Sequence, residues 1–104
     1  MELYTTGEVP GKEVEESLGL VRGNTIRARN VGRDVLAGLR NLIGGEIKDY
    51  TQMLSDARDE AVSRMVGEAE DLGADAIVEV RFTTSETMGG AAEILVYGTA
   101  VKFK

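Results

Sequence analysis

Two arginines, an aspartate and a tyrosine form the first group of residues that could bind a ligand. Arg33 and Arg40 are seven residues apart, so on a helix they lie two turns apart on one face, with Asp34 beside Arg33. Tyr50 comes near them only if the chain folds back at the glycines at 44 and 45. Guanidinium groups bind carboxylates and phosphates through paired hydrogen bonds, so this group could clamp a small anion. The same residues could equally form a salt-bridge network between subunits, which we favour.

Three carboxylates offer a second chemistry. Glu68, Asp71 and Asp75 are three and four residues apart, so they could converge on a hard cation such as Mg²⁺ or Ca²⁺. The sequence lacks the Asp-x-Asp-x-Asp-Gly pattern of a calcium loop. Glu60 and Glu68 also have the i,i+4 spacing to Arg64 that helical ion pairs use, which explains Glu68 without a metal. A carboxylate metal site is therefore an alternative hypothesis.

The residue types that the chain lacks restrict its chemistry further. The sequence contains no cysteine and no histidine, which excludes disulfides, thiolate catalysis and the usual ligands of soft metals. The glycine pair at 44 and 45 is not followed by the Gly-Lys-Ser/Thr residues of a phosphate loop. Without histidine only lysine, tyrosine or a carboxylate could act as the base, and an enzyme that uses Tyr50 or Asp34 as its acid–base group is the second alternative. We expect no catalytic residue, no cofactor and no enzymatic activity.

Length and composition indicate a single domain over residues 1–104. Hydrophobic residues make up 42% of the 104 residues and charged residues 29%, as in ordinary globular proteins. No apolar run approaches the roughly 18 residues of a membrane span, and the N-terminus lacks a secretory pattern. We therefore expect a cytoplasmic protein with no membrane partner. The net charge of −6 argues against nucleic acid, because phosphate backbones repel an acidic surface.

One long helix dominates the predicted secondary structure. Apolar residues recur every three or four positions from residue 46 to residue 72, and Gly73 then provides a C-terminal cap. The predicted stripe is Ile47, Tyr50, Leu54, Ala57, Ala61, Met65, Ala69 and Leu72. Such a helix is about 40 Å long, whereas a nine-residue strand spans about 30 Å. We therefore expect the helix to overhang its own sheet or to bend over it. A shorter helix is predicted before it, with Asn30 as the N-cap and Leu36, Leu39 and Ile43 on one face.

The N-terminal third predicts a strand, a helix and a second strand. Residues 3–6 favour a short strand, and Pro10 followed by acidic residues favours a short helix that ends near Leu18. Residues 20–30 alternate as a half-buried strand does, with Ile26 on the buried face. Gly23 within this strand predicts a bulge or a close backbone approach.

The C-terminal third predicts a hairpin of two strands. Residues 76–84 alternate with Ala76, Val78, Val80 and Phe82 on one buried face, and residues 85–91 form the connection. The last strand, residues 93–103, is apolar on both faces, and one helical layer can cover only one of them. Because large exposed apolar patches are rare on monomers, the other face predicts a second subunit.

The chain resembles the YbjQ-like family of small uncharacterised proteins, which carries a heavy-metal-binding label. The resemblance extends through nearly the whole chain and rests on these residues: Thr5-Thr6, Gly11, Leu18-Gly19, Val21, Gly23, Asn30, Arg33-Asp34, Gly38, Arg40, Gly44-Gly45, Tyr50, Ala57-Arg58, Ala61, Ala69, Leu72-Gly73-Ala74-Asp75-Ala76 and Gly98-Thr99-Ala100-Val101. The combination of Arg-Asp, the glycine pair and Leu-Gly-Ala-Asp-Ala at these separations is specific.

The resemblance implies an α+β, dodecin-subunit-like fold in which a three-stranded antiparallel sheet, with short extra strands, lies under one long helix. It also implies a ring-shaped homopentamer. The heavy-metal label does not transfer, because the sequence has neither thiolate nor imidazole ligands. The leading hypothesis is a non-enzymatic cytoplasmic homo-oligomer that binds a small ligand or partner at its subunit boundaries, with Arg33, Asp34, Arg40 and Tyr50 as the candidate site.

Overall fold

A computed structural model describes residues 1–27, 45–86 and 92–104 of the chain. Its elements in chain order are β1 (Glu2–Leu3), β2 (Val14–Arg27), α1 (Gly45–Asp71), β3 (Ala76–Glu86) and β4 (Ala92–Phe103). The four strands form one mixed sheet in the order β1-β3-β4-β2. β1 pairs with β3 in parallel, and the other pairs are antiparallel. The α+β class is confirmed, but the sheet has four strands rather than the three predicted.

The long helix confirms the prediction to within one residue at each end. Ala57, Ala61, Met65 and Ala69 are fully buried against the sheet, because their spacing keeps them on one face of the helix. Leu72 does not continue this buried stripe, since it is 47% exposed beyond the last helical residue.

The end of α1 is set by Gly73, as the sequence predicted. Gly73 has a φ of 77°, and its amide donates to the Glu70 carbonyl at 2.9 Å while the Ala74 amide donates to the Ala69 carbonyl at 3.1 Å. These two bonds form a Schellman motif, which satisfies carbonyls that the helix leaves unpaired.

Replacing Gly73 with alanine should lower the free energy of unfolding by about 1 kcal/mol, because an L-residue in the left-handed region is strained. Chemical denaturation of the wild type and of Gly73→Ala at one protein concentration measures the difference. Gly73→Asn is the matched control, because asparagine tolerates this conformation better than alanine does. Equal stabilities of the wild type and Gly73→Ala would contradict this account of the helix end.

The closest approach between α1 and the sheet occurs at Gly23 in β2. A β-carbon on Gly23 would lie 2.5 Å from the Met65 amide nitrogen and still closer to the Ala61 carbonyl oxygen. The predicted close backbone approach at Gly23 is therefore confirmed. A β-carbon on Gly67 within α1 would, by contrast, meet no described atom within 4 Å outside the neighbouring helix backbone.

The predicted helix from Pro10 to Leu18 was wrong, because this stretch forms a turn and then the start of β2. The Lys12 amide donates to the Val9 carbonyl at 3.0 Å, and Gly11 has a φ of 79°. Proline followed by a glycine of positive φ is the pattern of a type II turn. The Pro-Gly pair was thus a turn signal rather than a helix start.

The predicted orientation of β2 was also wrong. Val21, Gly23 and Thr25 face the helix, whereas Ile26 is 61% exposed on the opposite face. Thr25 is buried in place of Ile26, and its hydroxyl donates a hydrogen bond to the Ala57 carbonyl at 3.1 Å. A polar residue could be buried here because the helix backbone supplies its hydrogen-bond acceptor.

A β-bulge in β3 overturns the prediction that its apolar residues share one face. The register shifts between Val78 and Arg81, and Glu79 has a φ of 54°. Ile77 and Val80 therefore pack under the helix, while Val78 packs on the other side of the sheet. Non-glycine residues rarely adopt positive φ, so sequence patterning gave no signal of the bulge.

β2 is longer than the strand over residues 20–30 that the sequence predicted. The strand has 14 residues, which corresponds to about 46 Å at roughly 3.3 Å per residue. The 27-residue helix is about 40 Å long. These lengths do not fix where the helix ends lie over the sheet, so the predicted overhang or bend stays a prediction.

Three predicted features lie outside the described residues. They are the short helix with its N-cap at Asn30, the break at Gly44 and the 87–91 part of the β3–β4 connection.

Candidate functional site

The anion clamp predicted from the sequence lies outside the described side chains. Arg33, Asp34 and Arg40 are not among the described residues, and Tyr50 belongs to α1 while its side chain is not described. This site, including its alternative as a salt-bridge network between subunits, stays a prediction.

The three predicted metal-binding carboxylates lie at the C-terminal end of α1 and just after it. Glu68, Asp71 and Asp75 are exposed, and the Asp75 Oδ2 atom accepts a hydrogen bond from the Phe103 amide at 2.9 Å. No group of three or more acidic side chains within the described parts of the chain is arranged to hold a metal ion. The Asp75 carboxylate instead holds the end of β4. The i,i+4 pair between Arg64 and Glu60 is present at 2.5 Å.

The sheet has one face under the helix and one face without a helix, and both carry apolar side chains. Under the helix, Val21, Ile94, Val96 and Ala100 pack against α1. Alternate residues of β4 point to the opposite side, where Val101 and Phe103 belong to a second apolar cluster. The prediction that β4 is apolar on both faces is therefore confirmed.

The N-terminal segment covers one end of this second face. Val9 is 8% exposed and packs with Ala76, Val78 and Val101, while Tyr4 lies beside them. The segment is also bonded to the edge of β3, because the Tyr4 amide donates to the Ile77 carbonyl at 2.9 Å and the Val80 amide donates to the Tyr4 carbonyl at 2.9 Å. The chain thus covers part of this face by itself, which the sequence patterns did not predict.

The Tyr4 hydroxyl donates a hydrogen bond to the Glu2 carboxylate. This bond and the nearby negative charge raise the pKa of Tyr4 above the ordinary 10.0, because ionising the phenol would lose the bond and bring two negative charges together.

The rest of the helix-free face has no covering element among the described residues, and we call it the open face. It consists of Leu20, Arg22, Asn24 and Ile26 of β2 with Glu93, Leu95, Tyr97 and Thr99 of β4 and Arg81, Thr83 and Ser85 of β3. Leu20 is 63% exposed, Ile26 is 61% exposed and Tyr97 is 38% exposed. These exposed apolar side chains lie on one face of the sheet.

The polar side chains of the open face are arranged in rows across the strands. Arg22 and Arg81 stand on either side of Tyr97. In a neighbouring row, the Asn24 side-chain amide donates to the Glu93 carboxylate at 3.1 Å. Sequence reasoning missed the two arginines as a pair, because they are 59 positions apart and lie on either side of Tyr97 only through the register of β2 and of β3 with β4.

A shallow cleft lies at the other end of the molecule, next to the Pro10–Gly11 turn, and is lined by residues 6–10 and 12–14. The Lys12 ammonium lies 5.5 Å from the centre of the Phe103 ring, and Lys104 pairs with Glu13 at 3.2 Å. Both cations are thus used to fasten the N-terminal segment to β4, and the cleft presents no set of free polar groups that converge on a ligand.

Comparison with known families decides the assignment. The sequence model of the YbjQ family, described as "Putative heavy-metal-binding", matches residues 1–104. The chain belongs to the YbjQ family. It is 65% identical over 102 residues to a UPF0145 protein of Methanoculleus marisnigri, covering 98% of this chain and 95% of that one. A UPF0145 protein of Halorubrum lacusprofundi is 62% identical over 104 residues, with both chains covered completely.

A solved structure supports the YbjQ fold seen in this chain. A protein of unknown function in the DUF74 family from Pediococcus pentosaceus superimposes with a TM-score of 0.65 and 19% identity, covering 100% of this chain and 98% of that one. At this identity the likeness shows the fold alone. Within residues 1–27, 45–86 and 92–104, no helix is long and apolar enough to cross a membrane.

Proposed function

We propose that this YbjQ-family chain is a cytoplasmic, non-enzymatic homo-oligomer whose subunits meet at the open face and bind a small ligand there. The observation that carries the proposal is the exposure of Leu20 and Ile26 on a sheet face that the helix and the N-terminal segment leave uncovered. Burying a leucine or isoleucine side chain contributes about 1.5–3 kcal/mol, so a second copy on this face gains a substantial driving force.

The edge of the sheet supports the same proposal. β2 is the last strand in the order β1-β3-β4-β2, so one side of its 14 residues has no strand partner among the described residues. Long unprotected edges are rare in monomeric proteins because they invite pairing with another chain. From Gly19 to Arg27, beyond the two register shifts near its start, β2 carries neither proline nor lysine, which are two of the features that prevent such pairing. The open face and this edge adjoin at β2, so one neighbouring subunit could cover both.

We infer a closed ring, with five subunits as the number that the family resemblance implies. Repeated contact between one surface of a subunit and a different surface of the next gives a ring when the rotation closes. A second exposed apolar surface exists at Phe82, which is 50% exposed on the helix side of β3. The two surfaces face opposite sides of the sheet, which suits a contact between unlike surfaces.

The chemistry of the chain does not fit the heavy-metal description of its family. Thiolate and imidazole are the ligands that soft and borderline metals prefer, and none of the 104 residues is cysteine or histidine. We therefore expect equilibrium dialysis at neutral pH to show no saturable binding of Zn²⁺ or Cd²⁺ at micromolar concentration. Dialysis against Mg²⁺ and Ca²⁺ tests the carboxylate alternative, with Glu68→Ala/Asp71→Ala/Asp75→Ala as the matched variant. One ion per subunit that this variant loses would overturn our preference and establish the alternative.

A single introduced thiol tests whether a neighbour covers the open face. The chain has no cysteine, so Leu20→Cys and Leu72→Cys each provide one reporter, at sites that are 63% and 47% exposed in the subunit. In the assembled protein we expect the thiol at position 20 to react with a disulfide reagent at least about tenfold more slowly than the thiol at position 72, because only the first is covered. Dilution should accelerate its reaction. A position-20 thiol that reacts as fast as the position-72 thiol at every protein concentration would contradict the proposal.

A further inference from the structure

A row of three side chains crosses the open face where three strands lie side by side. Arg22 of β2 pairs with Tyr97 of β4, and Tyr97 pairs with Arg81 of β3. Because neighbouring strands are about 4.8 Å apart, the two arginine backbones are about 10 Å apart with the tyrosine between them. We call these three residues the Arg–Tyr–Arg row.

Both guanidinium groups lack a carboxylate partner within the described chain. Arg22 takes part in no ion pair or side-chain hydrogen bond there. The Arg81 Nη1 atom donates to the Thr5 carbonyl at 2.8 Å and to the Val80 carbonyl at 2.9 Å. These two bonds direct the Arg81 Nη1 atom toward the N-terminal segment at the edge of β3 and leave its other nitrogen atoms available. Guanidinium groups without a carboxylate partner are suited to bind the oxygen atoms of a phosphate or carboxylate group.

The charge of the open face is opposite to that of the chain. The whole sequence has a net charge of −6, yet the described residues of the open face carry two arginines and one acid, Glu93. Glu93 accepts a hydrogen bond from Asn24 rather than from either arginine. An anion that approaches this acidic protein is therefore attracted to the open face.

Tyr97 adds a second recognition element, because its ring is partly exposed between the two arginines. Aromatic rings and guanidinium groups both stack on flat ligands. We propose that the Arg–Tyr–Arg row binds a small molecule that combines an aromatic ring with a phosphate group. This inference rests on the proposed function, since the row is an open surface in one subunit and a neighbouring copy would provide the remaining walls of a pocket.

Isothermal titration of the purified oligomer with adenosine monophosphate tests the inference, with adenosine and inorganic phosphate as comparison ligands. We expect the nucleotide to bind at least about tenfold more tightly than either comparison ligand, because it alone engages both the ring and the arginines. Arg22→Gln/Arg81→Gln and Tyr97→Leu should each weaken nucleotide binding at least about tenfold. Arg58→Gln, which removes an exposed arginine of α1, should leave the affinity unchanged.

Native mass spectrometry of the same samples separates this inference from the proposed function. An oligomer that does not bind the nucleotide, or that binds inorganic phosphate equally well, overturns the aromatic-phosphate inference and leaves the assembly standing. If Arg22→Gln/Arg81→Gln dissociates the oligomer and the wild type binds no nucleotide, the arginines hold carboxylates of the neighbour instead, which also overturns the inference. A monomeric wild type contradicts the proposed function whatever the titration shows.

Discussion

Replacing Gly23 with alanine should destabilise the protein by about 3 kcal/mol or more, the largest effect that we expect of any single methyl group. The added β-carbon would collide with the backbone of α1 at Ala61 and Met65. Backbone atoms cannot rotate away as a side chain does, so the helix has to move off the sheet. Overpacked cores typically lose about 1–3 kcal/mol, and a rigid obstacle places this substitution at the upper end.

Urea denaturation at one fixed protein concentration measures this effect, because the stability of an oligomer depends on concentration. Gly67→Ala is the matched control, since it adds the same methyl group to a helical glycine whose β-carbon would meet no described atom within 4 Å. That substitution should raise the free energy of unfolding by about 1 kcal/mol, the difference in helix propensity. Equal effects of the two substitutions, or a neutral Gly23→Ala, would contradict the described packing of α1 on β2.

Replacing both Leu20 and Ile26 with lysine should convert the oligomer into monomers without unfolding the subunit. Both side chains are more than 60% exposed in the subunit, so their loss costs the isolated fold little. At the proposed boundary, each would forfeit about 1.5–3 kcal/mol of burial, or about 3–6 kcal/mol together. The new ammonium groups would also lie on a face that already carries Arg22 and Arg81, so they cannot be buried there without repulsion.

Size-exclusion chromatography with light scattering measures the mass, and far-ultraviolet circular dichroism verifies that the variant subunit stays folded. Leu72→Lys is the control, because it removes an exposed leucine at the end of α1, where a cation is favourable to the helix dipole. We expect the control to keep the mass of the wild type. A Leu20→Lys/Ile26→Lys protein that also keeps the wild-type mass would place the subunit contacts elsewhere.

The helix and the last strand were predictable because their apolar residues repeat with regular spacing over many positions. The buried series from Ala57 to Ala69 fits only one helical face, and Gly73 marks its end. β4 likewise shows its two apolar faces by simple alternation. A regular spacing over this many positions distinguishes a helix from a strand, so both elements could be predicted without knowledge of their tertiary contacts.

The predictions for β2 and β3 were wrong because a single structural feature decides which residues of each strand are buried. In β2, both Thr25 and Ile26 favour a strand, and burial of Thr25 depended on the Ala57 carbonyl, which comes from a distant part of the chain. In β3, the bulge at Glu79 shifts the apolar residues before it to the other face. Tertiary contacts decide which face of each strand is buried, so the alternation of apolar residues in the sequence does not predict these changes of face.

The open face was predictable only in part. The apolar alternation of β4 indicated that some element beyond the helix must cover the second face, but the N-terminal segment covers one end of it. The Arg–Tyr–Arg row could not be predicted, because it requires the register of β2 and of the bulged β3 against β4. The site predicted from the sequence, Arg33, Asp34, Arg40 and Tyr50, stays a prediction.

Native mass spectrometry of the wild type over a dilution series tests the central claim most directly. At micromolar concentration we expect one dominant species of five subunits, each of 11.2 kDa, which releases monomers only on strong dilution. A monomer at every concentration would contradict the account, because the exposed apolar residues of the open face would then have no partner.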